Sequence, residues 1–412
     1  MSKRGPIPLL SVHPCRGMVD EKLSVLVQNA PAVQELTLHA LLRSEDGDDW
    51  EAFGHYTSDA AGAVDVCEDV CVGGTYSGQE PMGLLWSLRP VPGSRPNLRL
   101  RKKEPGTPMV VTVSLYQGFQ TDGFPERLPL ATRVVERWYL APGVRREEVT
   151  EGGVTATLFL PPGPGPFPAV LDLWGGGGGL VEYRAALVAS HGFVTLALDY
   201  LTPRRSAGGV SYVSNDYFQA AFSVLQTHPQ VSRERIAILG LSFGASMALG
   251  LSVYSPAIKP CCLVSISGSH VQPAGGSLGD IFASFRKNAK NTRWNDQKQV
   301  IWRDLLMPIP SDPGQKVDDD QNWPAEESAL DMKEMMDRSG NGHLLTVLSY
   351  PHTGHLIDPP YSPHCRASNF MTTGSREKLV VLWGGEMTAH CYAQEDSWWK
   401  MLDFLKKHLC QV

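Results

Sequence analysis

The chain has 412 residues, of which 42% are hydrophobic and 19% charged, and its formal net charge is -6. A chain of this length exceeds one ordinary hydrophobic core and predicts about two domains. The slightly acidic balance, without a long basic run, argues against nucleic acid or a membrane surface as partners. No stretch reaches the roughly 18 apolar residues of a membrane span, so we expect a soluble intracellular protein.

The eight cysteines are scattered along the chain without a paired CxxC spacing. This pattern favours buried or free thiols in a reducing compartment. Cys67 and Cys71 have no histidine close by in the sequence, so we predict no metal site. We expect a cytoplasmic location. A peroxisomal location is the alternative, because the C-terminal residues 409–412 (LCQV) distantly resemble the Ser-Lys-Leu peroxisomal signal.

The first part of the chain, residues 1–142, has the pattern of short β-strands. Residues 22–28, 33–42 and 110–116 alternate in polarity or are rich in β-branched side chains, and clusters of Gly and Pro separate them. Short strands with frequent turn signals and no long amphipathic helix are typical of a β-sandwich. We therefore predict an N-terminal β-sandwich domain.

The second part, residues 143–412, alternates between apolar runs and helical spacing. The predicted strands are 169–173, 194–198, 236–239 and 262–266, and the predicted helices are 180–191, 216–227, 245–254 and 395–408. Such alternation indicates βαβ units around a parallel sheet. The fold class that we predict is therefore α/β, with this part as the catalytic domain.

The sharpest motif is GLSFG at residues 240–244. It follows an apolar strand and precedes a helix of small residues, which is the setting of a nucleophile elbow. The glycines are needed because the turn is tight, and the Ser242 hydroxyl then stands above the sheet at a helix N-terminus. In this arrangement the backbone N–H of Phe243 can stabilise an oxyanion. A structural serine turn is the alternative interpretation.

A run of five glycines at residues 175–179 follows the strand 169–173. Glycines allow the backbone to approach a substrate closely and to direct N–H groups at it. We predict that Gly176 supplies the second N–H of an oxyanion hole. A phosphate-binding loop is the alternative, but the GxxxxGK[ST] pattern is missing.

The general base of such a site is expected on a loop after a late strand. Residues 344–350 (LLTVLSY) predict that strand, and residues 351–355 (PHTGH) predict the loop. His355, which follows a glycine, is the predicted base. His352 is the predicted bystander.

The acid is expected between the serine and the histidine in the chain. Three consecutive aspartates, Asp318, Asp319 and Asp320, form a run that ends 35 positions before His355. One of them is a candidate for the acid, although such a run is also typical of a solvated turn or a helix cap. Weaker candidates are Asp296, Asp304 and Asp312.

Several segments resemble the type I acyl-CoA thioesterases and their relative, the bile acid-CoA:amino acid N-acyltransferase. The matching segments are 14–20 (PCRGMVD), 73–88 (GGTYSGQEPMGLLWSL), 142–149 (PGVRREEV), 156–165, 175–189, 240–244, 354–368 (GHLIDPPYSPHCRAS) and 383–394 (WGGEMTAHCYAQ). The resemblance implies hydrolysis of fatty acyl-CoA, an N-terminal β-sandwich, an α/β-hydrolase domain and no cofactor. It places the nucleophile on Ser242, the base on His355 and the acid on Asp320, which precedes Gln-Asn-Trp.

A serine nucleophile favours hydrolysis over acyl transfer. The N-acyltransferase branch of the family uses cysteine, because the thioester that cysteine forms with the acyl group survives long enough to meet an amine.

Two features of this sequence depart from the family. Phe243 stands where the thioesterases often carry lysine. Residues 310–319 (PSDPGQKVDD) cannot form the expected strand before the acid, so we predict a smaller sheet and Asp320 on a loosely held loop. The alternatives are therefore an N-acyltransferase, a weakened enzyme or a non-catalytic scaffold.

Overall fold

The structure is a computed structural model that describes residues 7–202, 213–271, 277–305, 309, 319–372 and 377–410. The described residues form two compact units. The first contains the residues up to Tyr139 together with Pro359–His364. The second begins at Leu140 and contains the rest, so the division lies close to the predicted boundary between residues 142 and 143.

The first unit is a β-sandwich of two mainly antiparallel sheets. Its strands are β1 (Leu9–His13), β2 (Arg16–Met18), β3 (Ser24–Gln28), β4 (Glu35–Arg43), β5 (Asp49–Thr57), β6 (Val64–Asp65), β7 (Arg89–Pro90), β8 (Met109–Gln117) and β9 (Ala131–Trp138), and helix α1 (Gly83–Trp86) lies between β6 and β7. The larger sheet has the order β2-β9-β8-β4-β5-β7 and the smaller one β1-β3-β6. The predicted strands 22–28, 33–42 and 110–116 are confirmed as β3, β4 and β8.

The second unit is built around a six-stranded sheet. Its strands are β10 (Arg145–Val149), β11 (Thr155–Leu160), β12 (Phe167–Leu173), β13 (Val194–Asp199), β14 (Val231–Leu241) and β15 (Cys262–Ile266), with helices α2 (Tyr183–Ser190), α3 (Asn215–Thr227) and α4 (Phe243–Tyr254) between them. The order is β10-β11-β13-β12-β14-β15. The last four strands in this order are parallel. Every residue of β13 is buried, as expected for a parallel strand covered on both faces.

The chain leaves β12 toward β13 on one side and later returns to place β14 on the other side of β12. A parallel α/β sheet binds its ligands at such a reversal, outside the carboxyl ends of the strands. The five-glycine run follows β12, and the GLSFG motif spans the end of β14. The topology therefore brings both predicted oxyanion segments to the same edge of the sheet.

The remaining elements complete the second unit. They are α5 (Leu278–Asn288), β16 (Arg293–Trp294), β17 (Val300–Ile301), α6 (Ala325–Arg338), β18 (Ala367–Met371), β19 (Lys378–Leu382) and α7 (Met387–Cys410). The strands form a second sheet of order β16-β17-β19-β18. Helix α7 contains the predicted helix 395–408 and begins eight residues earlier. Among the helices that the structure describes, none is long and apolar enough to cross a membrane.

The predicted strand at residues 344–350 is wrong. A 3₁₀ turn occupies Gly342–Leu344, and residues 345–350 carry no strand pairing. Side chains hold this segment instead: Ser349 donates to Glu326 at 2.6 Å, and Tyr350 donates to Asp396 at 2.7 Å. An apolar run cannot become a strand without a neighbour that supplies ladder hydrogen bonds, and in the described residues the main sheet ends at β15.

Candidate active site

The serine elbow has the predicted strand–turn–helix context. Ser242 lies between β14 and α4 with φ 57° and ψ -122°, a conformation that costs a non-glycine residue free energy. A Cβ on Gly240 would overlap the backbone of Gly244 and Ala245, and one on Gly244 would overlap the Leu173 carbonyl oxygen. Both flanking positions of the elbow therefore require glycine.

Three side chains that are distant in sequence meet at this elbow. Ser242 Oγ lies 2.7 Å from His355 Nε2, and His355 Nδ1 lies 2.8 Å from Asp320 Oδ2. The exposed fractions of the three residues are 7%, 1% and 2% in the order Ser242, His355, Asp320. Since a carboxylate only accepts, Nδ1 carries the proton and Nε2 is free to accept the proton of the serine hydroxyl. The geometry is that of a nucleophile, a base and an orienting acid.

Asp320 is firmly held. Its Oδ1 accepts hydrogen bonds from the backbone N–H of Asn322 at 2.8 Å and of Trp323 at 2.9 Å. The Arg303 guanidinium donates to the Asp320 carbonyl oxygen at 2.6 Å. The prediction that Asp320 lies on a loosely held loop is therefore wrong: backbone N–H groups hold its carboxylate, and the Arg303 guanidinium holds its backbone carbonyl oxygen. The segment 310–317, predicted not to form a strand, lies outside the described residues.

The other acidic candidates that the structure describes do not bond His355. Asp319 Oδ2 pairs with Arg366 at 2.8 Å and accepts from the Gly385 N–H at 2.9 Å. Although burial raises the pKa of Asp319, the hydrogen bonds from Arg366 and Gly385 outweigh it and lower the pKa below its usual value. Asp304 pairs with Arg293, and Asp296 is exposed. Asp312 and Asp318 lie outside the described residues.

The two histidines of the loop have different surroundings. The His355 ring stacks on Trp383 with an interplanar angle of 15° and a centroid distance of 5.7 Å. The His352 side chain is 64% exposed and pairs with Glu386. The structure therefore brings His355, and not His352, to Ser242.

The glycine run approaches the serine from the end of β12. A Cβ built on Gly175 would lie 3.2 Å from Ser242 Cβ and 3.7 Å from Ser242 Oγ. A Cβ on Gly176 would lie 3.8 Å from Phe243 Cβ. The predicted Gly176 therefore lies beside the elbow, but its neighbour Gly175 is the residue in direct contact with Ser242, a distinction that five identical glycines conceal.

A buried ion pair supports the start of this run. Arg184 on α2 binds the Asp172 carboxylate through two nitrogens, and its guanidinium lies over the Trp174 ring at 4.7 Å. Burial raises the pKa of Asp172, against the opposing effect of Arg184. Tyr200 donates to the Trp174 carbonyl oxygen. These contacts fix the backbone immediately before Gly175.

Aromatic side chains surround the residue after the nucleophile. The Phe243 ring is stacked on Phe282 with centroids 5.4 Å apart, and its ring centroid lies 6.1 Å from that of Phe285 and 6.3 Å from that of Trp323. Phe282 and Phe285 lie on α5 and are only partly buried. The surroundings of the elbow on this side are therefore apolar.

Sequence reasoning did not identify Arg303 or Trp383 as supports of the site. Arg303 lies outside the segments that resemble the family, and Trp383 lies in one of them without any local signal of its contact with His355, because each acts through a chain segment that only the fold brings close. Within the residues described here, no group of three or more His, Cys, Asp or Glu side chains could hold a metal ion.

A serine elbow on a reversing α/β sheet, bonded through an imidazole to a buried carboxylate, places the second unit in the α/β-hydrolase class. Two family profiles match the chain. "Acyl-CoA thioester hydrolase/BAAT N-terminal region" matches residues 20–151, and "BAAT / Acyl-CoA thioester hydrolase C terminal" matches residues 213–411. The chain belongs to the acyl-CoA thioester hydrolase/BAAT family.

Named relatives match over nearly the full length. The peroxisomal succinyl-coenzyme A thioesterase of Mus musculus is 38% identical over 97% of this chain and 96% of its own. Acyl-coenzyme A thioesterase 1 of Homo sapiens is 35% identical over 95% of this chain and 94% of its own. Among solved structures, a dienelactone hydrolase-like promiscuous phosphotriesterase from metagenomic libraries has a TM-score of 0.37 and 18% identity over 64% of this chain and 98% of its own. The two thioesterases support the family assignment.

Proposed function

We propose that this protein hydrolyses acyl-CoA thioesters, with Ser242 as nucleophile, His355 as base and Asp320 as the orienting acid. The observation that carries the proposal is the 2.7 Å separation of Ser242 Oγ and His355 Nε2, continued to Asp320 at 2.8 Å. The full-length match to proteins named acyl-coenzyme A thioesterases supports the substrate class. The short triad distances speak against the weakened-enzyme and scaffold alternatives.

The proposed reaction has two steps. In the first, His355 takes the Ser242 proton, Ser242 Oγ attacks the thioester carbonyl, and coenzyme A leaves as a thiol after receiving that proton. In the second, His355 takes a proton from water, the water oxygen attacks the acyl ester, and the bond to Ser242 Oγ breaks as His355 returns that proton to the serine, which releases the free acid. We assign the oxyanion hole to the backbone N–H groups of Phe243 and Gly176, with Gly175 providing the space beside Ser242.

The apolar surroundings of Phe243 favour a fatty acyl chain over a charged one. One relative is named for succinyl-coenzyme A, so a dicarboxylic acyl-CoA belongs in any substrate panel. That relative is named peroxisomal and another, acyl-coenzyme A thioesterase 2 of Homo sapiens, is named mitochondrial. The first name supports the peroxisomal alternative to the cytoplasmic location expected from sequence.

The test is coenzyme A release from short, medium, long and dicarboxylic acyl-CoAs. Ser242→Ala should lower kcat by about 10⁴- to 10⁶-fold, because the nucleophile is lost. Ser252→Ala on the same helix is the matched control, since within the described part of the chain its hydroxyl bonds the Ala248 carbonyl oxygen at 2.8 Å and not a residue of the site, and it should keep wild-type kcat. Retained turnover in Ser242→Ala would remove the serine from the mechanism.

Product analysis with added glycine or taurine separates hydrolysis from transfer. Hydrolysis predicts free acid as the product whether or not the amine is present, because an oxygen ester on Ser242 reacts readily with water. An amide as the main product would favour the N-acyltransferase alternative instead.

A further inference from the structure

His390 lies on α7, outside the Ser242–His355–Asp320 series, yet it contacts the backbone on both sides of His355. The Gly354 N–H donates to His390 Nδ1 at 3.1 Å. On the other side, His390 Nε2 lies 2.7 Å from the Leu356 carbonyl oxygen. One imidazole thus spans the peptide that carries the proposed base.

These partners define the protonation state of the ring. A carbonyl oxygen only accepts, so Nε2 carries a proton; a backbone N–H only donates, so Nδ1 carries none. His390 is therefore the neutral Nε2–H tautomer. The residue is 2% exposed and both ring nitrogens are engaged, so it is not itself available as a general base.

The same backbone stretch is restrained by further contacts. The His355 N–H donates to the Trp383 carbonyl oxygen at 2.9 Å. A Cβ on Gly354 would overlap the backbone of Gly384, so the loop packs directly on the segment that leads into α7. The Leu356 carbonyl oxygen also accepts from the Asp358 N–H at 3.0 Å. His390 thus supplies an acceptor for the Gly354 N–H and a second donor for the Leu356 carbonyl oxygen.

We propose that His390 is a positioning residue for the base: its neutral imidazole holds residues 354–356 so that the His355 ring reaches Ser242 and Asp320 together. The inference rests on the proposed function. An apolar replacement would remove the His390 acceptor from the buried Gly354 N–H and would remove one of the donors to the Leu356 carbonyl oxygen, and the loop would move to satisfy the Gly354 N–H. A shift of about 1 Å in a reacting group costs on the order of 10²-fold in rate.

The experiment compares His390→Phe, which keeps a ring of similar size without polar atoms, with His390→Gln, whose amide offers one donor and one acceptor. His390→Phe should lower kcat by about 10- to 100-fold with KM nearly unchanged, and slow the labelling of Ser242 by a fluorophosphonate. His390→Gln should restore most of both rates. Leu402→Ala is the control for stability, since Leu402 is fully buried on the same helix; it should lower Tm but leave kcat near the wild-type value.

A second readout does not depend on thioesterase activity. The His355 Nδ1–H in its bond to Asp320 should give a low-field proton resonance. His390→Phe should shift or broaden this resonance, and His390→Gln should retain it.

If His390→Phe does not fold, His390→Asn takes its place. The shorter amide of asparagine cannot span from Gly354 to Leu356, so this variant should show the same losses. Two results would overturn the inference when the wild type is active. One is an unchanged kcat and an unchanged resonance in His390→Phe. The other is an equal loss in His390→Gln and His390→Phe. A wild type that neither releases coenzyme A nor labels at Ser242 would instead refute the proposed function, and the resonance would still test the role of His390.

Discussion

At the scale of single residues, Ser242 combines a strained backbone with a polar side chain in a nearly buried setting. Its positive φ of 57° persists because the surrounding elements dictate it: the Ser242 N–H donates to the Ile266 carbonyl oxygen at 2.8 Å, and its own carbonyl accepts from the Ala245 N–H at 3.0 Å. A strained residue held in this way is typical of a functional site. The strain places the hydroxyl where a base on a distant loop can reach it.

The orienting acid leads to the first prediction at this scale. Asp320→Asn should lower kcat by about 10⁴-fold. Asp320 Oδ1 would still accept from the backbone, so the amide nitrogen would face His355 Nδ1 and donate to it. The imidazole would then carry its proton on Nε2 and could not accept the proton of Ser242. The measurement is kcat for coenzyme A release.

The matched control is the neighbouring Asp319→Asn. Asp319 contacts Arg366 and Gly385 rather than His355, so kcat should stay within about tenfold of the wild-type value, as expected for a residue outside the reacting groups. Similar losses in the two variants would show that the acidic loop acts only through its fold.

At the scale of elements, the elbow depends on how closely α4 approaches the end of β12. Gly244 lies in the first turn of α4, and a Cβ there would overlap the carbonyl oxygens of Leu173 and Trp174. These two residues lead directly into the glycine run. The packing of α4 and the position of the proposed oxyanion hole are therefore set by the same contact.

Gly244→Ala should destabilise the protein although alanine is the better helix former. The new methyl group meets backbone atoms that cannot rotate away, so we expect a loss of about 1–3 kcal/mol in the free energy of unfolding. Displacement of residues 173–176 should also lower kcat by about 10²-fold. Thermal unfolding and coenzyme A release measure the two effects.

Gly106→Ala is the control for this substitution. The nearest atom to its new Cβ would be Glu104 Oε1 at 3.1 Å, the end of a flexible side chain. Its effect on stability should stay within about 0.5 kcal/mol. A Gly244→Ala protein with wild-type Tm and kcat would show that β12 and α4 can separate without consequence.

At the scale of the whole molecule, the stability of the protein should depend on pH through Asp319. Its pKa is lowered in the folded protein, so its contribution to stability is present above the unfolded value of about 3.9 and is lost as the pH falls through the folded value. The side chains of Arg366 and Asp319 are 53% and 28% exposed, and solvent screening limits the contribution to about 0.5–1 kcal/mol.

The comparison of the wild type with Asp319→Asn tests this sign. Near pH 7 the wild type should have the higher Tm, by about 1–3 °C, and the difference should shrink as the pH falls below about 4. A difference in Tm that stays constant or grows toward low pH would contradict the assignment of the lowered pKa to Asp319.

The sequence by itself determined the features that depend on neighbours in the chain. The GLSFG elbow follows from local sterics, because only glycine fits at the two flanking positions of the motif. The strand before it and the helix after it follow from periodicity, because apolar runs alternate with helical spacing. The order of serine, acid and histidine along the chain, together with the family resemblance, was sufficient to select Asp320 and His355.

Only the tertiary structure decided what depends on segments far apart in sequence. It holds Asp320 through Arg303 and backbone N–H groups, contacts that the sequence did not predict, and it leaves residues 345–350 without strand pairing although their composition predicts a strand. It also places Gly175 against Ser242 and His390 on both sides of His355. The physical reason is the same throughout: a hydrogen bond or a close contact needs a partner, and the fold, not local propensity, supplies it.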